Sequence, residues 1–263
     1  MLYIENNSID DTVFNAIQSG FVGFSLQEIC DISNSNAILY HECLAKLKMP
    51  DGKVRVAGDF IPALEASGMI AAFDRHMLEL AFDWLSENPA GSIGCNISPR
   101  SFWECETWSR LYEVIVRHYS LAPRMILEIT ESLPIGTIDE TAARLESLRS
   151  LGCQIAIDDF GTGYSTVEAL VSIPVDIVKI DAMFVKPRQP AMDERILECM
   201  VTLASCVAPT VVVEGIETLA ELNAARSAGA SHVQGYLFCN PTLKPAHWGL
   251  PRSYGHGTSI WTI

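Results

Sequence analysis

The sequence predicts a closed α/β barrel of eight strands whose first strand runs antiparallel to the second. Three observations predict it. Eight short β-like runs recur along 263 residues, helix-like segments separate them from the second strand onward, and only Ser33-Asn34-Ser35-Asn36 joins the first two. Strand–helix alternation favours a parallel sheet under helical cover, and a (β/α)₈ barrel needs about 250 residues. A parallel crossover takes a dozen or more residues, so a four-residue turn must reverse the chain. The expected fold is a modified (β/α)₈, TIM-like barrel.

The elements follow in order. Asp11–Ser19 reads as a short helix leading into the first strand. The strands are read at Phe21–Ile32, Ala37–Leu47, Ser92–Ile97, Met125–Thr130, Gln154–Asp158, Ile177–Ile180, Thr210–Val213 and His232–Phe238. Apolar residues at helical spacing predict one helix over Phe60–Ser86, after the start signal Gly58-Asp59. Ile138–Leu151 ends on Gly152, and Leu219–Ala228 on Gly229, both stop signals; Asp193–Val207 completes the set. No linker divides the chain, so residues 1–263 are read as one domain, with a motif-bearing core over about residues 20–248 and flexible ends.

Composition narrows the function. Apolar residues make up 49% and charged residues 19%, as in a globular domain with a self-sufficient core. A net charge of −14 argues against gripping a nucleic-acid polymer or an anionic membrane surface. It leaves room for a small phosphorylated substrate, because bound divalent cations invert the local sign. The eight cysteines form no C-x-x-C pair and no zinc spacing. They read as reduced thiols, hence a cytoplasmic chain. No signal peptide and no apolar run of about 18 residues is present, so no membrane insertion is expected.

The functional signal is positional. In such barrels the site sits at the C-terminal ends of the parallel strands. There the second strand carries Glu42, the third ends in Asn96, and the fourth carries Glu128 and Glu131. The fifth ends in Asp158-Asp159 and a Gly-rich loop. The sixth holds Lys179 and Asp181, the seventh ends in Glu214 and Glu217, and the eighth carries Gln234. A carboxylate cluster of this density needs compensating charge. An oxygen donor set without His or Cys points to hard cations, Mg²⁺ or Mn²⁺. Adjacent Asp158 and Asp159 suit two ions about 3.5–4 Å apart, an arrangement that activates water for in-line attack on a phosphodiester. Lys179 is placed to orient the water or neutralise charge, and Glu214 to accept a proton.

The runs LEITES, AIDDFGTGYS, VDIVKID, VVVEGIET and QGYLFCNP, in that order, resemble the motifs of the EAL domain. That family hydrolyses cyclic di-GMP to linear pGpG, and the resemblance spans about Gly20 to Pro241. It implies that Glu42, Asn96, Glu128 and Asp158 bind a first metal ion. Asp158, Asp159 and Glu214 would serve a second, with Asp181 close by. Lys179 would hold the water, leaving open whether Lys179 or Glu214 takes its proton. Gln27, Glu217 and Gln234 would line the substrate end. Glu131 would anchor the Asp159–Ser165 loop, which supports homodimer contacts in the family. Three positions depart from the pattern: Cys43 replaces Ala in the signature tripeptide, Lys46 replaces an Arg expected at a substrate phosphate, and Glu28 replaces Pro. The alternative is a catalytically silent receptor or interaction module, whose usual mark is a missing metal ligand; none is missing here.

Overall fold

A computed structural model describes residues 9–49, 51–102, 104–130, 138–163, 167–186, 190–239 and 247–248. Helix α1 (Ile9–Gln18) precedes two long strands, β1 (Val22–Asp31) and β2 (Ile38–Lys48). Between them Asp31 Oδ1 accepts from the backbone N–H groups of Ser33 at 2.7 Å and Asn34 at 3.1 Å. Such a side-chain-closed turn makes β1 and β2 an antiparallel pair, in a register that sets Gln27 opposite Glu42. The four-residue turn thus reverses the chain, as its shortness requires.

The short strand β3 (Val54–Val56) lies on the outer edge of β2. Two helices follow, α2 (Ile61–Ser67) and α3 (Ile70–Glu87), where one had been expected. Gly68 breaks the run: it adopts φ 81°, a left-handed conformation that ends a helix and that glycine enters at no steric cost. The rest alternates: β4 (Ile93–Ile97), α4 (Cys105–Arg117), β5 (Met125–Thr130), α5 (Ile138–Ser150), β6 (Gln154–Phe160), α6 (Val167–Ser172), β7 (Ile177–Ile180), α7 (Pro190–Ser205), β8 (Thr210–Val213), α8 (Leu219–Ala228) and β9 (His232–Gln234). The last barrel strand stops at Gln234, short of the expected Phe238. A two-residue strand, β10 (His247–Trp248), pairs with β1.

Strands β2, β4, β5, β6, β7, β8 and β9 are parallel neighbours in that order. β1 closes the ring by pairing antiparallel with both β2 and β9. The result is the expected eight-stranded mixed barrel under helices. Two apolar cores hold it. The larger lies between the strands' outer faces and the helices; the smaller, Ile29, Tyr40, Ile126, Ala156, Ile177 and Val212, fills the barrel axis.

Strand periodicity converts this inner layer into a site. Side chains two residues apart share a face. Two residues beyond Tyr40, Ile126, Ala156, Ile177 and Val212 stand Glu42, Glu128, Asp158, Lys179 and Glu214. The apolar plug therefore ends where the polar layer begins.

Asp74 is a buried acid outside that layer. Asp74 on α3 is 4% exposed, and its Oδ2 accepts from Ser98 N at 2.9 Å and Ser101 Oγ at 2.6 Å, fastening α3 to the segment after β4. Burial raises its pKa to about 7, with Glu65 adding to the rise; the Ser101 and Ser98 bonds and Arg75 oppose it. The folded protein thus holds this proton more tightly than the unfolded chain does. Asp74 consequently costs stability as pH rises from about 4 to about 7, by on the order of 4 kcal/mol at most. Both bonds go to one oxygen, so an asparagine can accept them. In urea unfolding, the stability of Asp74→Asn relative to wild type should grow between pH 4 and pH 7 and then level off; a pH-independent difference would show that Asp74 is not protonated in the fold.

Candidate active site

Lys179 occupies the centre. Its side chain is buried, and Nζ lies 2.6 Å from Glu128 Oε2, 2.7 Å from Asp158 Oδ1, 2.8 Å from Glu214 Oε1 and 3.1 Å from Glu42 Oε2. Burial alone pulls the ammonium's pKa down, but Asp158, Glu128, Glu214 and Glu42 together outweigh it and hold the pKa well above its ordinary value. Lys179 is therefore a fixed cation inside a carboxylate ring.

The carboxylates differ. Glu42 is fully engaged: Oε2 also accepts from Gln234 Nε2 at 2.6 Å, and Oε1 from Asn96 Nδ2 at 2.9 Å. Burial raises its pKa, yet Lys179 and these amides lower it further, so Glu42 is held as an anion. Burial pushes Glu128 and Glu214 well above the usual carboxylate range despite Lys179, and it raises Asp158 as well. One cation does not balance four acids.

Asp159 reaches the rim through a local irregularity. Successive strand residues face opposite sides, which would send Asp159 away from Asp158. Instead the β6–β7 register shifts between Ile157 and Phe160, and Asp159 adopts φ 54°. Aspartate tolerates that left-handed conformation better than most residues. Both neighbours thus line the same cleft. Burial first, then the charges of Asp158 and Asp181, raise Asp159 to about 6.

A divalent cation fits this donor set. Carboxylate oxygens of Glu42, Glu128 and Asp158 lie within 4.8 Å of one another, as do those of Asp158, Asp159 and Glu214. Glu128 Oε1 is buried without a hydrogen-bond partner, a state that normally costs about 1–3 kcal/mol. Gly94 on β4 keeps the space open: a Cβ there would collide with that oxygen and with Tyr40.

Two clefts meet at Asp158 and Asp159. One, of about 340 Å³, includes Gln27, Glu42, Glu214, Glu217 and Gln234 in its walls. The other, of about 310 Å³, runs past Asn96 toward α2 and α3. Asp181 belongs to neither carboxylate triad, although its charge acts on Asp159; its Oδ1 accepts from Met183 N at 2.7 Å and caps a short turn. Glu217 pairs with Lys186 at 2.7 Å. Lys46 is buried four residues beyond Glu42 on β2, with its pKa lowered by burial, and lines neither cleft. Glu131 lies outside the described residues, as does the end of the Asp159–Ser165 loop. Lys186 and Tyr236, not among the site residues expected from the sequence, both line the larger cleft.

Replacing Lys179 by methionine keeps the volume and removes the central charge. In chelator, Lys179→Met should lose about 3–5 kcal/mol of stability in denaturant unfolding, because buried acids are left unpaired. Added Mn²⁺ should recover more stability in the variant than in wild type. Equal stabilities with and without ion in both proteins would contradict the charge balance described here.

Residues 10–241 match the EAL domain family. The chain is 32% identical over 215 residues to PdeA of Escherichia coli strain K12, a probable cyclic di-GMP phosphodiesterase, covering 80% of this chain and 29% of that one. It is 30% identical over 210 residues to the cyclic di-GMP phosphodiesterase PdeL of the same strain, covering 76% and 57%. The chain thus spans well under two thirds of either relative. Among solved structures, the PaMucR phosphodiesterase in its c-di-GMP complex superposes with a TM-score of 0.78 at 26% identity, over 91% of this chain and 98% of that one. With matched residues running from α1 past the last barrel strand, the chain belongs to the EAL domain family.

Proposed function

We propose that this chain hydrolyses cyclic di-GMP to linear pGpG, with two divalent cations, Mg²⁺ or Mn²⁺, at the barrel rim. The observation that carries the reading is the pair of carboxylate triads that share Asp158. A shared carboxylate is what two ions about 3.5–4 Å apart require. When bound, such ions polarise a phosphodiester and make water acidic enough to attack it.

The chain's own residues do the rest. Glu42, Asn96, Glu128 and Asp158 would hold one ion, and Asp158, Asp159 and Glu214 the other, with Asp181 near the second. Lys179 fixes the acids in place and stabilises negative charge on the attacked phosphate. Of the two candidates for the water's proton, Glu214 takes it, because Lys179 is held as an ammonium and has no lone pair to accept it. Gln27, Glu217 and Gln234 position the dinucleotide in the larger cleft, Lys46 contacts a phosphate, and Glu131 anchors the loop after Asp159. The eight free cysteines support a reducing, cytoplasmic setting. Among the described residues no helix is long and apolar enough to cross a membrane. The loop after Asp159 is a candidate homodimer contact.

Incubation with cyclic di-GMP and Mg²⁺ or Mn²⁺, followed by chromatography, should show pGpG, and excess chelator should stop its formation. Glu42→Gln and Asp158→Asn should each cut turnover by about 10²-fold or more while the circular dichroism stays native. Tight binding of cyclic di-GMP without turnover would instead establish the silent-receptor alternative.

Lys46 tests the substrate contact separately. A lysine offers a point charge where arginine offers a fork able to hold two phosphate oxygens. Lys46→Ala should raise KM and Lys46→Arg should lower it, with kcat changed by less than about twofold in each, because the contact exists before and during reaction. Identical KM values in all three proteins would remove Lys46 from the substrate's path.

A further inference from the structure

Cys43 directly follows Glu42 on β2, and Cys95 directly precedes Asn96 on β4. The parallel register of β2 and β4 sets the two cysteines opposite each other. Both belong to the outer core between strands and helices and are nearly inaccessible, at 3% and 1% exposure. Paired residues on neighbouring strands share a face, so the two side chains stand side by side, and Cys95 Sγ reaches Asn96 O at 3.9 Å. Both nevertheless line the 310 Å³ cleft that also reaches Asn96, Asp158 and Asp159, so a reagent of a few atoms has a route to them. Among the described residues no third ligand atom joins the pair to make a metal site. Two neighbouring thiols on paired strands, with no third donor, suit a covalent bond better than an ion.

We propose that Cys43 and Cys95 are an oxidisable dithiol whose reversible disulfide loosens the metal site. Paired Cα atoms on adjacent strands lie about 4.8 Å apart, inside the 4.4–6.8 Å span that disulfides bridge. The Cβ atoms must close to about 3.8 Å, so the strands shift locally. Glu42 and Asn96, one residue away on each strand and joined at 2.9 Å, move with them. A strained bond of this kind is easily reduced, as regulatory disulfides are.

The oxidant is a small hydroperoxide. One sulfur attacks a peroxide oxygen, the O–O bond breaks, and a sulfenic acid forms while the other oxygen leaves as water or alcohol. The second sulfur then attacks the sulfenic sulfur, and the hydroxyl leaves with the thiol proton as water. Two thiols lose two electrons and two protons, and the peroxide gains both. The effect on turnover rests on the phosphodiesterase reading; the bond and the loss of ion binding do not.

The test uses the full chain with Cys105, Cys199, Cys206 and Cys239 changed to serine, since these are the cysteines not buried. Hydrogen peroxide should remove two hydrogens from the mass, and peptide mapping should recover a Cys43–Cys95 linkage that dithiothreitol reverses. Mn²⁺ affinity, read by calorimetry, should fall by about tenfold or more on oxidation and recover on reduction. Cys43→Ala and Cys95→Ser, each checked for native circular dichroism, should show neither linkage nor loss. A folded, oxidised protein without the linkage overturns the proposal, and so does a linkage that leaves Mn²⁺ affinity unchanged. A preparation that never turns over cyclic di-GMP would fail the functional reading while leaving both readouts intact.

Discussion

The site depends on one constraint: a single buried ammonium must hold four carboxylates together. Lys179 touches Glu42, Glu128 and Asp158, which arrive on strands β2, β5 and β6, and Glu214, one residue past the end of β8. Unpaired, each buried charge would cost several kcal/mol. The excess of acid over base is the site's working property. Raised pKa values at Glu128, Asp158 and Glu214 record how strongly the pocket resists further negative charge. A divalent cation would relieve that resistance, and the cost of crowding the acids would become affinity for it.

The barrel supplies the precision. An apolar layer of Tyr40, Ile126, Ala156, Ile177 and Val212 closes its interior, and each strand adds its functional residue two positions later. Registers such as Asn96 opposite Glu128 and Thr130 opposite Asp158 then fix the heights at which the polar atoms meet. The antiparallel first strand serves the same layer: it brings Gln27 beside Glu42 and within 3.2 Å of Gln234. Gly94 is the counterpart on β4, where the absence of a side chain leaves room for Glu128.

Much of this was legible in the sequence. The reversal before β2 followed from the shortness of its turn, and the rim residues followed from their place at strand ends. Other features depended on three-dimensional contacts. Gly68 could have been read as a helix stop, but continuous helical periodicity on either side concealed the break between α2 and α3. Helices α4 and α6 were not separately assigned, the second being only six residues long. The end of β9 was overestimated because QGYLF is apolar and aromatic, whereas the chain leaves the sheet after Gln234. Lys186 and Tyr236 belong to loops beyond the strands, and only folding brings them to the cleft. Cys95 acquired meaning only when the β2–β4 register placed it against Cys43.

The sharing of Asp158 between two cations is the central claim, and anomalous diffraction from crystals soaked in Mn²⁺ tests it most directly. Two peaks about 3.5–4 Å apart are expected. Asp158 should touch both ions, Glu42, Asn96 and Glu128 one of them, and Asp159 and Glu214 the other. A single peak, or ions bound without Asp158, would contradict it.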